Sequence, residues 1–237
     1  MNDDGTDPQK LTNHPRVDTA PHWSPNGEQI VFSSTRDSFR ADQFFNLYRI
    51  DADGSNVQQI TDFGFGTRPR WSPDGEWLLF GGRGIHVCRT DGTDLSKITP
   101  PNPAVNMAVG GWSPDGRQIL YIETIEGQVT VSAPVIATLA RDGRATVIQW
   151  KRIKLPQLAI KGASFSTHGQ SILFAGTQAE KGDDWNIYRF ELITKKLIQL
   201  TDNPGNDNSG PSQWNPQLSV SPQQKTISLF WGEIKSD

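Results

Sequence analysis

Cysteine, clustered histidine and long apolar runs are what this chain of 237 residues lacks. Its one cysteine, Cys88, excludes an internal disulfide and any multi-cysteine zinc centre. Its four histidines, His14, His22, His86 and His168, stand singly, with no His-Glu-x-x-His spacing to suggest a metal site. No run approaches the 18 or so apolar residues of a membrane-crossing helix. Positive charge is not in excess either: 23 Lys and Arg against 26 Asp and Glu give a net charge of −3. Nothing global would neutralise a phosphate backbone, so nucleic acid is not an expected partner. Phosphate-loop, dinucleotide and Gly-x-Ser-x-Gly signatures are absent; Gly111-Trp112-Ser113-Pro114-Asp115 ends in the wrong residue. The acidic, polar start Met1–Gly5 is unlike a signal peptide.

What is present is turn chemistry. Gly (22) and Pro (16) punctuate the chain, and 8 Trp accompany only 2 Met. Trp-Ser-Pro-(Asn/Asp)-Gly occurs at 23–27, 71–75 and 112–116. Degenerate copies follow at Phe165–Gly169 and Val220–Gln224, so the intervals are 48, 41, 53 and 55 residues. Each copy precedes an apolar run, such as Ile30-Val31-Phe32 or Leu78-Leu79-Phe80. The pattern predicts a hairpin: Pro presets φ, Asp bonds back to the backbone and Gly supplies positive φ. A third strand, a second turn (Asp51–Gly54, Asp91–Thr93, Arg141–Gly143, Thr194–Lys196) and a fourth strand complete each unit. Ile60-Thr61, Ile98-Thr99 and Leu200-Thr201 close the fourth strands, with Ile148-Gln149 in that place in the third unit. Four short strands repeated at this period predict an all-β β-propeller of four-stranded antiparallel blades.

These residues carry a resemblance. Trp-Ser-Pro-Asp-Gly, then an apolar strand, then Leu47–Asn56 and Gln59–Asp62, resemble the WD-like repeat of the TolB-type β-propeller over nearly the whole chain. The resemblance implies a single domain over 1–237, with units near 1–13, 19–62, 66–100, 108–150, 160–202 and 216–237. About five blades are expected, or part of six. The terminal blade is either incomplete or closed by strands from both chain ends. The alignment of residues 1–12 with 49–61 suggests a start inside a blade, and thus a truncated member of the family. A periplasmic or secreted location follows from the resemblance, and a cytoplasmic one if the chain is complete.

The short turns occupy one face of such a fold, and the longer loops and links the other. Binding is expected on the long-loop face. Phe39, Phe44, Phe45, Phe63, Phe65, Met107, Trp185 and Trp214 lie in or beside those loops. His22, Arg36, Arg68, Arg70 and Arg83 approach the expected channel mouth, where they suit a carboxylate or an acidic peptide. The candidate binding set is His22, Arg36, Phe39, Phe44, Phe65, Arg68, Arg70, Arg83, Trp185 and Trp214. Local pairing of these basic residues with Asp37, Asp42 or Asp62 is the reading favoured over a shared binding role. The Asp-rich turns place Gly too early for a calcium loop, Cys88 reads as buried and inert, and Trp23, Trp71 and Trp112 read as packing between blades.

The expected function is a non-catalytic, TolB-like scaffold that binds a protein or peptide. No catalytic residue, metal or cofactor is assigned, and the expected form is a monomer not inserted in a membrane. The alternative is an accessory or gating propeller of a prolyl-oligopeptidase-like or tricorn-like peptidase.

Overall fold

The computed structural model describes residues 6, 8–36, 44–100, 105–125, 131–140, 144–156, 158–178 and 184–202. Sixteen strands form four antiparallel sheets of four. The first sheet holds β1 (Asp18–Trp23), β2 (Gln29–Ser34), β3 (Asn46–Asp51) and β4 (Gln58–Gln59). The second holds β5 (Thr67–Trp71), β6 (Trp77–Gly82), β7 (Gly84–Arg89) and β8 (Ser96–Lys97). The third holds β9 (Val105–Trp112), β10 (Gln118–Ile125), β11 (Val131–Leu139) and β12 (Val147–Arg152). The fourth holds β13 (Leu158–Phe165), β14 (Ser171–Gln178), β15 (Asn186–Glu191) and β16 (Leu197–Gln199). Within each sheet the strands pair in chain order, so every unit is a four-stranded meander. The first strands meet one another (β1 with β5, β5 with β9, β9 with β13), which makes them the inner edge of the array. The repeat unit expected at 216–237 lies outside the described residues.

The turn after each first strand is built as its residues dictate. Gly27, Gly75, Gly116 and Gly169 have φ of 72°, 77°, 69° and 67°, the left-handed region that favours glycine. The serine two positions before the Asp or Asn is buried and does two jobs. Its hydroxyl accepts the amide of the residue five further on (Gln29, Trp77, Gln118 and Ser171, at 2.9, 2.9, 2.8 and 3.1 Å). It also donates to Asn26, Asp74 or Asp115, at 2.7, 2.5 and 2.6 Å. Those side chains in turn accept the amides of Glu28, Glu76 and Arg117. The fourth copy keeps Ser166 but has His168 where the acid stands. Successive turns also stack: Pro25 lies over Gly75, Pro73 over Gly116 and Pro114 over Gly169.

The aromatic that opens each unit packs on the sheet before it. Trp71 joins Val31 and Leu47 of the first sheet. Trp112 rests on a core shared with Trp77, Leu79, Ile85 and Val87 of the second sheet, and its indole N–H donates to the Arg70 carbonyl at 3.3 Å. Phe165 joins Leu120, Ile122 and Ile136 of the third. Trp23 has no preceding sheet among the described residues and is 53% exposed. A packing role therefore holds for Trp71 and Trp112, and no sheet among the described residues gives Trp23 one.

The repeated threonine closes the outer edge. Thr61 and Thr201 accept the amides of Leu47 and Ile187 at 2.9 and 2.8 Å, and Thr99 that of Ile85 at 3.4 Å. In the third unit the position belongs to Ile153, not Ile148: the Ile153 amide donates to Pro134 as those of Ile60, Ile98 and Leu200 do to Leu47, Ile85 and Ile187. Ile148 instead sits where the β11–β12 register shifts and is 64% exposed. The third unit also has longer strands than expected. Much of 123–134 belongs to β10 and β11, and Met107 lies in β9 rather than in a link.

The interlock gives a contrast in stability. Trp71→Ala should cost about 3–5 kcal/mol, and Trp23→Ala less than about 1 kcal/mol, in urea unfolding of the two variants. Equal losses would contradict the packing described here.

Candidate functional site

Every first strand carries one extra residue relative to its neighbour. The register shifts between Thr19 and His22, Thr67 and Arg70, and Lys161 and Ala163, and opposite Leu120–Tyr121 in β9. These are β-bulges, which bend a strand and re-aim its side chains. At three of the four, a residue takes left-handed φ: Ala20 (52°), Arg68 (52°) and Gly162 (55°). For Ala20 and Arg68 that conformation costs on the order of 1 kcal/mol each. The residues that follow, His22, Arg70, Gly111 and Ser164, are register equivalents: each pairs with the third residue of its second strand.

The bulge in β5 sets two cations close together. Arg68 is exposed and Arg70 half-buried. Arg70 donates to the Pro69 carbonyl at 2.9 Å. Burial, then the charge of Arg68, hold its guanidinium below the ordinary arginine range. Among the described residues no carboxylate forms an ion pair with Arg68 or Arg70.

His22 belongs to the scaffold. Its Nδ1 accepts the Trp71 amide at 3.3 Å, which ties β1 to β5 and requires Nδ1 to be unprotonated. Burial, then the charge of Arg70, push its pKa down to about 4. Among the described residues Arg36 pairs locally with Asp18; Asp37 and Asp42 lie outside the described residues. Both Asp18 oxygens lie 3.0 Å from its Nη2, and its guanidinium stacks over Phe32 and Tyr48 at 5.1 and 4.8 Å. Burial pushes the Asp18 carboxyl up, but hydrogen bonds from Ser34, Arg36 and Thr12 outweigh it and hold the pKa low. Arg36 is thus committed to a contact within its own sheet.

Aromatic side chains gather beside β5. The Phe44 side chain lies against Gly64, and the Phe65 ring against Gly82, where an added Cβ would come within 2.5 Å of it. Phe65 stacks with Phe63 and His86 at 5.4 and 5.0 Å between centroids. Phe44 is 40% exposed, and Arg83 is exposed at the tip between β6 and β7. The structure therefore brings Phe44, Phe65, Arg68, Arg70 and Arg83 to the first two units. Trp185 is in the fourth unit, buried, with the Lys161 ammonium 4.0 Å from its ring centre. Phe39 and Trp214 lie outside the described residues. The bulges were the feature the sequence did not announce, because neither Ala20 nor Arg68 is a residue type that signals left-handed backbone.

Other chemistry is structural. Cys88 is fully buried among Val31, Leu47 and Phe80, and burial pushes its thiol up to about 12. Asp53 and Asp91 accept the amides of Ser55 and Thr93, so these carboxylates brace their own turns. Among the described residues no group of three or more His, Cys, Asp or Glu side chains could hold a metal ion. No helix there is long and apolar enough to cross a membrane.

The family described as the TolB beta propeller domain, PD40, matches residues 6–139. No curated protein matches the chain's sequence. Among solved structures, TolB from Acinetobacter baumannii is similar at a TM-score of 0.61 and 21% identity, over 87% of this chain and 49% of that one. The putative TolB from Agrobacterium tumefaciens is similar at 0.60 and 22%, over 81% and 65%. An oligogalacturonate lyase from Vibrio parahaemolyticus is similar at 0.60 and 16%, over 81% and 56%. These likenesses are of fold, and the chain spans about half to two thirds of each relative's length.

The His22 geometry predicts a pH dependence. With an ordinary pKa of 6.5 and a folded value of about 4, the unfolded state takes up the proton first as pH falls. The stability contribution is complete above pH 6.5 and is lost towards pH 4, by about 2–3 kcal/mol. Urea unfolding at pH 7.5 and 5 should show a smaller pH difference in His22→Gln than in the parent. An unchanged difference would remove the His22–Trp71 tie from the account.

Proposed function

The chain belongs to the TolB β-propeller domain family, and from that premise we propose that it is a non-catalytic scaffold that binds an acidic protein or peptide segment. The segment sits at the inner edge and long-loop side of the first two units. One observation carries this reading: the β5 bulge holds Arg68 and Arg70 together with no carboxylate partner among the described residues. Two uncompensated guanidinium groups, one of them half-buried, favour a bound carboxylate through charge-assisted hydrogen bonds. Phe44 and Phe65 supply apolar surface, and Arg83 a third cation. A ligand of this kind would be acidic with an apolar or aromatic neighbour. Family membership supports an exported location. In a longer protein the same surface could face an attached catalytic domain, and a gating role would then use the same residues.

The strain at Arg68 separates binding from stability. Arg68→Gly relieves the left-handed conformation and should leave stability unchanged or raised by up to about 1 kcal/mol. A penta-glutamate peptide titrated calorimetrically at low salt should bind the parent, and bind Arg68→Gly and Arg70→Ala several-fold more weakly. Affinity should fall as salt rises. Equal binding by the parent and both variants would refute the site.

A further inference from the structure

The outer strand of the third unit differs from its counterparts. β4, β8 and β16 have two, two and three residues, whereas β12 has six. Among the described residues it ends its sheet and pairs only with β11, so its other edge carries backbone donors and acceptors that no described strand pairs. Five of its six residues are exposed, with Trp150 at 47% and Ile148 at 64%. An open edge of this length is a template for another strand.

The two faces of β12 differ in chemistry. Trp150 lies opposite Ala137 and leans towards the second unit, its indole N–H donating to the Ile98 carbonyl at 3.0 Å. Lys151 lies opposite Ile136, on the side of the fourth unit. There it lies near Lys195, whose ammonium is held below its ordinary range by desolvation and by the charge of Lys151. Lys195 itself has left-handed φ (61°) and donates to the Leu192 carbonyl. Lys154 and Lys196 are exposed close by in sequence. No carboxylate among the described residues pairs with Lys151, Lys154, Lys195 or Lys196. Arg152 is engaged by Glu123, and Glu191 accepts Thr194 and lies 3.9 Å from Arg189. Ile193, in the same turn as Lys195, is 81% exposed.

We propose that β12 is a second docking edge, on which an extended acidic segment of a partner protein adds as a fifth strand to the third sheet. Backbone pairing along 147–152 would supply the register. Acidic residues on one face of the added strand would meet Lys151 and Lys195, and apolar residues on the other would lie beside Trp150. This is the recognition mode in which main-chain bonds give affinity and alternate side chains give specificity. Charge selects against a second copy, since pairing two β12 edges would bring two lysine clusters together. The edge is remote from Arg68 and Arg70, so this inference does not rest on the inner site.

The test titrates the full chain with a ten-residue peptide of alternating Glu and Val, with alternating Lys and Val as the control. Amide exchange is followed with and without peptide. The expected result is saturable binding of the acidic peptide alone and slowed exchange within 147–152. A Lys151→Glu/Lys195→Glu double variant should lose the slowed exchange within 147–152 and at least tenfold in the affinity read there. Four outcomes overturn the proposal. The acidic peptide fails to bind at low salt. Its binding follows Arg68 rather than the lysines. Phosphatidylglycerol vesicles bind through the lysines while the peptide does not, which assigns the patch to a lipid surface. Or the chain alone sediments as a dimer with 147–152 already protected.

Discussion

The structure depends on a single handover: the aromatic that opens one unit is covered by the sheet of the unit before it. Trp71 lies on Val31 and Leu47, and Phe165 on Leu120 and Ile136. A four-stranded meander alone has two apolar faces and too little core to cover both. Stacking in chain order covers them, and the ring at the head of each first strand is the largest group passed across. The Trp112 and Trp150 indoles add a directional element, each donating to a carbonyl of the second unit. Proline over glycine repeats the same handover at the turns. Trp23 shows the rule by exception. It has the same residue type, turn and register, yet is 53% exposed where no earlier described sheet covers it.

The handover constrains the first strand at one end and frees it at the other. Its last residue must be a large apolar group and the turn after it must hold the serine bridge. The bulge absorbs the mismatch between that fixed end and the entry of the link. The position just before the aromatic then faces the inner edge, and its occupants in the four units are His22, Arg70, Gly111 and Ser164. No volume is demanded there, so charge can be placed at little packing cost. The chain is net negative, yet Arg68 and Arg70 lie near one another here with no carboxylate partner among the described residues.

The turns were legible because their chemistry is local. Serine, acid and glycine act within five residues, and their spacing reports the hairpin directly. The long-range pairs were not. Arg36 meets Asp18 because β1 and β2 run antiparallel, and no local rule prefers Asp18 to the nearer acids. The closing position of the third unit's fourth strand is not legible either, since Ile148 and Ile153 are equal as sequence. Only the β11–β12 register separates them, burying Ile153 and exposing Ile148. A histidine beside a channel carries no mark in the sequence of its partner, which here is a backbone amide in another unit.

Function in a repeat fold is found where the repeat is broken without loss of the scaffold. The aromatic, serine and turn glycine are kept in all four described units, and they say only that the units stack. Arg70 against Gly111 and Ser164, or six residues in β12 against two or three elsewhere, changes nothing the handover needs. The paired cations at Arg68 and Arg70, the lysines beside β12 and its uncovered strand edge are not required by the stacking of the described units. They are where the proposed ligand contacts are placed. The contacts proposed at both places share one chemistry, an acidic chain, met at the inner edge by guanidinium groups and at the outer edge by lysines and open backbone. Two sites of one sign on opposite edges of the sheets would suit a partner whose acidic segment is long enough to reach both.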